Sequence, residues 1–215
     1  MRIVFLGDSI TDANHNWNVD PFGLGDGYVS IVAQALRERG EDVTILNRGH
    51  DGFTIQGVRR TLIRDCLLRK PDIVSILIGC NDVGVMMNTG RTLEEQEFEA
   101  EFEAVINIIR EETDAQIICM TPFIFPHQQE YENWIPGIKK AEKCIKTVVD
   151  KYSLQCICLH DYLQEQAKQY GYSELTTDGI HLTRKGAKLV AEKWLQVYNT
   201  SSLTNCPKSD TITDK

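Results

Sequence analysis

Ile3-Val4-Phe5-Leu6, followed at once by Gly7-Asp8-Ser9-Ile10-Thr11, opens the chain. A run of β-branched, aromatic and aliphatic residues cut off by a glycine reads as a short buried strand that ends in a turn. A serine held in that turn stands clear of the strand, where a nucleophile can be presented. Apolar runs of the same kind occur near residues 2–6, 43–47, 73–78, 115–120 and 155–159, with helical patterns between them and one after the last. Tyr28, Ile31, Val32, Ala35 and Leu36 repeat at helical spacing and stop at Gly40, a plausible first residue beyond a helix end. Phe98, Phe102, Val105, Ile106 and Ile109 make a second stripe, with Glu94, Glu95, Glu97, Glu99, Glu101 and Glu103 filling the solvated faces. Strands alternating with helices predict an α/β fold: a parallel sheet with helices on both faces.

The chain has 215 residues, of which 42% are hydrophobic and 25% charged, enough for one good core and a single domain over 1–198. From Asn199 to Lys215 the sequence is polar, with little to bury, and reads as a flexible tail. Its 23 basic and 31 acidic residues give a formal charge of −8, without a Lys/Arg cluster that would follow a phosphate backbone. That balance argues against nucleic acid and anionic membranes as partners. The N-terminus enters a strand without a basic segment and apolar core of a leader, and no stretch approaches the ~20 apolar residues that span a bilayer. A cytoplasmic location, without membrane insertion, is the expectation. The seven cysteines, an odd number and mostly inside apolar runs, fit a reducing compartment. Cys156-x-Cys158 has neither metal nor redox spacing, and both thiols are expected to be buried on one side of a strand.

In an open α/β sheet, ligands bind at the carboxyl ends of the strands. Here those positions are rich in chemistry: Ser9 after the first strand, Asn47-Arg48-Gly49-His50-Asp51-Gly52 after the second, Gly79-Cys80-Asn81-Asp82 after the third, and Asp178-Gly179-Ile180-His181 before the last helix. Asp178 and His181 are close enough for one segment to deliver an imidazole and set a carboxylate behind it, which fixes the tautomer. Asp12-Ala13-Asn14-His15 has the same pattern but shares its loop with Ser9, too near to present an imidazole across the site. Gly52 and Ser9 can offer backbone N–H groups, and Asn81 its side-chain amide, to an oxyanion. Asp8 and Asp82 are read as holding their loops.

With these blocks in hand, the chain resembles the SGNH hydrolases, also called the GDSL lipases and esterases, over about residues 2–197. Gly7-Asp8-Ser9-Ile10-Thr11, Asn47-x-Gly49-x-x-Gly52, Gly79-x-Asn81-Asp82 and Asp178-x-x-His181 match the four blocks of that family in order. The resemblance implies a three-layer α/β/α, flavodoxin-like fold with five parallel strands. It also implies Ser9 as nucleophile, His181 as base, Asp178 as its orienter, and Ser9, Gly52 and Asn81 as the oxyanion hole. No Gly-x-Ser-x-Gly elbow is present, which separates the chain from the α/β-hydrolases. Gly23-x-Gly25-x-Gly27 lies well past the first strand and lacks dinucleotide-loop spacing.

Several stretches are most similar to acetylxylan-esterase-type members: Gly7 to Asp12, Leu24 to Val29, Ser75 to Val83 and Met120 to Phe123. The chain departs from them at the rim, with Thr177 where a tryptophan tends to precede the catalytic Asp, and Gly84 where a bulky aromatic is typical. Phe123, Phe125 and Trp134 either line an acyl or sugar pocket or pack their loop. The expected activity is a serine esterase acting through an acyl-enzyme on small acyl esters, acetyl groups on carbohydrates above all, with no metal or organic cofactor. A lysophospholipase or thioesterase acting on longer chains is the alternative. Some family members are oligomers, so a homo-oligomer is a further expectation without an identified interface.

Overall fold

A computed structural model of the chain describes residues 1–200 and the backbone of 201–204. Five strands, β1 (Arg2–Gly7), β2 (Thr44–Gly49), β3 (Ile73–Leu77), β4 (Gln116–Met120) and β5 (Gln155–Ile157), form one parallel sheet in the order β2-β1-β3-β4-β5. Alternate residues of β1 point to opposite faces, as strand geometry requires. Val4 and Leu6 join one core with Val74, Ile76 and Cys119, whereas Ile3 and Phe5 join the other with Ile73, Ile118 and Met120. A sheet buried on both sides needs apolar residues at successive positions, which is why the strands read as unbroken runs.

The first core is closed by α3 (Ile55–Asp65), α4 (Cys80–Thr89), α5 (Phe98–Glu112) and α6 (Ile135–Tyr152). The second is closed by α2 (Tyr28–Glu38), α7 (His160–Tyr170), the short α8 (Tyr172–Leu175) and α9 (Arg184–Thr204). Of the expected α2 stripe Tyr28, Val32 and Leu36 are buried and Ile31 and Ala35 half-buried, while Phe98, Phe102, Val105, Ile106 and Ile109 of α5 are all buried. The helix α2 ends as its glycine predicts, with Gly40 at φ +73° and the Glu41 N–H returning to the Leu36 carbonyl at 3.1 Å. The acidic run starts outside α5, because Glu97 takes a left-handed φ of +56° and Phe98 is the first helical residue. Its carboxylates meet neighbouring helices: Glu101 pairs with Arg59 and Glu94 with Lys140, each at 2.7 Å.

Two expectations change. Strand β5 ends at Ile157, so Cys158 falls beyond the sheet and is exposed while Cys156 is half-buried; the two thiols are not a buried pair. An edge strand this short has no neighbour to cover the residues after its last pairing. Helix α9 runs past Asn199 to Thr204, so the stretch read as a tail from Asn199 begins helical, and positions 205–215 lie outside the described residues. Among the described residues, no helix is long and apolar enough to cross a membrane.

The strand order places the topological switch between β1 and β3, since the chain leaves β1 toward β2 on one side and returns to β3 on the other. Ser9 follows β1 and Asn81 follows β3, so these two loops open on the same crevice.

Candidate active site

Helix α1 (Ser9–Asp12) begins at the serine, and the Asp8 side chain caps it by accepting the Ile10 N–H at 3.0 Å. Burial pushes the Asp8 carboxyl up to about 7. The Ser9 N–H is one of the first donors of the helix and has no acceptor within it. Asn47, buried at the end of β2, donates its amide to the carbonyls of Thr11 at 2.7 Å and Leu24 at 2.9 Å, which clamps the serine loop from beneath. Gly49 makes that clamp possible: a Cβ there would overlap the Asp12 amide and Thr11.

The loop after β2 turns at Gly52, whose φ of +72° is a left-handed conformation that L side chains disfavour. The space around Gly52 is open, so the backbone conformation, rather than close approach, is what asks for glycine. Its N–H donates to no protein group among the described residues. Asn81, in the first turn of α4, donates one amide N–H to the Phe53 carbonyl at 3.0 Å, which fixes the amide and leaves its second N–H available. Asp82 beside it accepts the Ile55 N–H on both oxygens, at 3.1 and 3.3 Å, and so ties α4 to α3; burial pushes its carboxyl up to about 7.

The segment Thr176–Leu182 is a locked turn closed by an antiparallel bridge between its ends. Thr176 Oγ1 donates to the His181 carbonyl at 2.7 Å and accepts the Gly179 N–H at 2.8 Å, while Phe125 donates its N–H to the Gly179 carbonyl at 2.8 Å. Within this frame Asp178 Oδ1 accepts the amides of Ile180 and His181, at 2.8 and 2.7 Å. Its Oδ2 meets His181 Nδ1 at 2.6 Å, and His181 Nε2 lies 3.0 Å from Ser9 Oγ. Burial would raise the Asp178 carboxyl, but hydrogen bonds from the His181 ring and the two amides outweigh it and hold the group below its usual value. The structure therefore brings Ser9, His181 and Asp178 into one hydrogen-bonded chain.

A cavity of ≈ 500 Å³ adjoins Ser9 and His181, lined among others by Asp12, Asn14, Asp26, Asp51 and Thr177. Acidic and amide side chains thus make up much of its wall, beside apolar Ile10, Ala13, Leu182 and Ala187. Phe123 and Phe125 are fully buried in the second core and are not among the residues that line this cavity. Trp134 is half-buried, at the start of α6. His15 is also removed from the site, buried against Trp17 with Nε2 2.8 Å from the Asp20 carbonyl. Among the described residues, no three His, Cys, Asp or Glu side chains gather as a metal site. Sequence reading placed Asn47 and His50 in the loop block after the second strand but not their roles, the Asn47 clamp and the pairing of His50 with Asp65 at 2.9 Å, whose partners lie in different elements and leave no local spacing to read.

Comparison with known proteins agrees with this architecture. An acetylxylan esterase of Geobacillus stearothermophilus is 27% identical over 205 residues, 91% of this chain and 92% of the relative. The crystal structure of that organism's acetylxylan esterase Axe2 superposes with a TM-score of 0.79 at 25% identity, over 91% of this chain and 92% of the other. A Parabacteroides merdae structure described as a GDSL-like lipase superposes with a TM-score of 0.85 at 27% identity, over 92% and 95%. The model of the GDSL-like lipase/acylhydrolase family matches residues 5–189, most of the sheet and all four loops. The chain belongs to the GDSL-like lipase/acylhydrolase family and is a carboxylic ester hydrolase with the SGNH hydrolase fold.

Proposed function

We propose that the protein is a serine esterase that cleaves small acyl esters, acetyl groups on carbohydrates in particular, by two-step acyl transfer. The observation that carries this reading is the unbroken chain from Asp178 Oδ2 to His181 Nδ1 at 2.6 Å and from His181 Nε2 to Ser9 Oγ at 3.0 Å. With Nδ1–H donated to the carboxylate, Nε2 presents its lone pair to the serine hydroxyl. Ser9 Oγ attacks the ester carbonyl as its proton passes to Nε2, and Asp178, ionised at neutral pH, stabilises the imidazolium. The Ser9 and Gly52 amides and the second N–H of Asn81 receive the oxyanion. Protonated His181 then hands its proton to the leaving alcohol. Water repeats the sequence on the acyl-enzyme, freeing the acid and restoring Ser9 Oγ–H.

Polar Asp12, Asn14, Asp26, Asp51 and Thr177 around the adjoining cavity support a hydroxyl-rich alcohol over a lipid tail. Similarity to an acetylxylan esterase over nearly the whole length points the same way. The test is hydrolysis of p-nitrophenyl esters from acetate to octanoate, and of acetylated xylo-oligosaccharides, by wild type beside Ser9→Ala. Acetyl release from both substrate types that vanishes in the variant is expected. Activity that survives Ser9→Ala, or none on any ester, would overturn the reading.

A further inference from the structure

The 3₁₀ segment Gln129–Trp134 carries two half-buried rings, Tyr131 and Trp134, which meet edge to face at 5.1 Å and 80°. Each ring rests on a glycine of a segment that builds the site. A Cβ on Gly84 would stand 3.2 Å from Trp134 Cη2, and a Cβ on Gly179 would stand 2.5 Å from Tyr131 Cδ2. Gly84 lies three residues beyond Asn81 in α4, hence on the same helix face, and Gly179 separates Asp178 from Ile180 and His181. The rings thus run from the Asn81 helix to the Asp178–His181 loop. Neither belongs to the lining of the polar cavity at Ser9.

The chemistry assigns these two sides. The tetrahedral centre on Ser9 bears four groups: the serine oxygen, the oxyanion, the leaving alkoxide and the acyl carbon chain. The alkoxide takes its proton from His181 Nε2 and so leaves toward the polar cavity, which His181, Thr177 and Leu182 line. The oxyanion is directed at Asn81. The acyl chain is the group left over, and Trp134 and Tyr131, resting on the two segments that carry Asn81 and Asp178, flank the site outside the polar cavity.

We infer that Tyr131 and Trp134, seated on Gly179 and Gly84, wall the acyl side of the site and restrict the enzyme to short acyl groups. This rests on the esterase reading above. Trp134 leads directly into α6, whose Gly137 packs against α4: a Cβ there would stand 2.5 Å from Met86 Cε and 2.8 Å from Val83 Cγ1, so the ring is carried by a helix docked on the Asn81 helix. Tyr131 also lies near Asp178; burial and that charge both raise its phenol above the ordinary value, so it stays a neutral wall.

The test is the ratio of kcat/KM for p-nitrophenyl octanoate to acetate in wild type, Trp134→Ala, Tyr131→Ala and the milder Trp134→Leu, with thermal melting to verify folding. One methylene in an apolar pocket discriminates by about 10-fold or more. The ratio should therefore rise at least about 10-fold in Trp134→Ala and rise less in Trp134→Leu, which keeps an apolar side chain against Gly84. A purely structural loss lowers both substrates by one factor and leaves the ratio where it was; that result in the folded variants, or a wild type that prefers octanoate, overturns the wall. Ester hydrolysis that is absent in wild type or indifferent to Ser9→Ala overturns instead the esterase reading on which the wall depends.

Discussion

Among the described residues two histidine–aspartate pairs are joined through their side chains, and only one adjoins the proposed nucleophile, Ser9. His181 and Asp178 meet at 2.6 Å with side chains 48% and 41% exposed; His50 and Asp65 meet at 2.9 Å with side chains 18% and 3% exposed. In the first pair the carboxylate takes Nδ1, and the far nitrogen reaches Ser9 Oγ at the edge of a cavity. In the second it takes Nε2, and both faces of the imidazole are covered, by Trp17 at 4.9 Å and 8° and by Phe53 at 4.5 Å and 28°. Arg64 adds two hydrogen bonds to Asp65, at 2.8 Å each. The pair itself is therefore not the catalytic signature. What matters is what lies beyond the second nitrogen, and whether the ring is open to a substrate. His50 instead anchors the loop that carries Gly52, whose next residue, Phe53, supplies the carbonyl that fixes Asn81.

The comparison breaks most readily at the imidazoles. His181→Gln should lower kcat on p-nitrophenyl acetate by about 10⁶-fold, the size of effect that removal of the triad base has in a serine hydrolase. His50→Gln should stay within about 10-fold of wild type and act chiefly on thermal stability. Equal losses in the two variants would mean that both histidines serve the chemistry. One step smaller, Asp178→Asn leaves the shape but invites the wrong tautomer, and a fall in kcat of about 10⁴-fold is expected; Asp65→Asn should leave kcat nearly unchanged. Smaller again is Asn81→Ala, for which the loss of one oxyanion donor predicts a kcat about 10²- to 10³-fold lower with KM little altered. A KM effect alone would assign Asn81 to substrate binding and remove it from the oxyanion hole.

The contrast also explains what could be read from sequence. Strands β1 to β4 were legible because a sheet covered on both faces demands consecutive apolar residues; β5, at the sheet edge and short, merged with the residues after it, and Cys158 was misplaced with them. The residues of the open pair were legible because Asp178 and His181 share one turn and Ser9 ends a strand. His50 and Asp65 were not, since a loop and the far end of α3 meet only through the fold. The same holds for Tyr131, whose neighbour Gly179 belongs to another segment; Trp134 was in view as a residue for the pocket or for loop packing, but its seat on Gly84 was not. Phe123 and Phe125 show the converse: their aromatic content left pocket lining and loop packing open, and burial assigns them to the core.

The smallest expected effect is on stability and its pH dependence, and it tests whether the enclosed pair is held by charge. Burial alone would raise the Asp65 carboxyl, but hydrogen bonds from His50 and Arg64 outweigh it and hold the group well below the ordinary 3.8. A carboxyl with a lower pKa folded than unfolded stabilises the protein above the unfolded value, and that contribution fades as pH falls through 3.8 toward the folded value. Hydrogen bonds to a charged group are worth about 1.5–3 kcal/mol, so Asp65→Asn should cost stability of that order at pH 7, measured by urea unfolding, and the cost should shrink as pH drops below about 4. Asp82 supplies the opposite slope. Its carboxyl is raised from 3.8 to about 7 by burial, so its contribution is present below 3.8 and is lost as pH climbs through 7; Asp82→Asn, which keeps an acceptor for the Ile55 amide, should gain on wild type over that interval. If the Asp65→Asn deficit is instead constant from pH 7 to pH 3 while Asp82→Asn shows its slope, then the ring stack of Trp17, His50 and Phe53 holds the loop by shape, and the carboxylate behind it adds no charge-dependent stability.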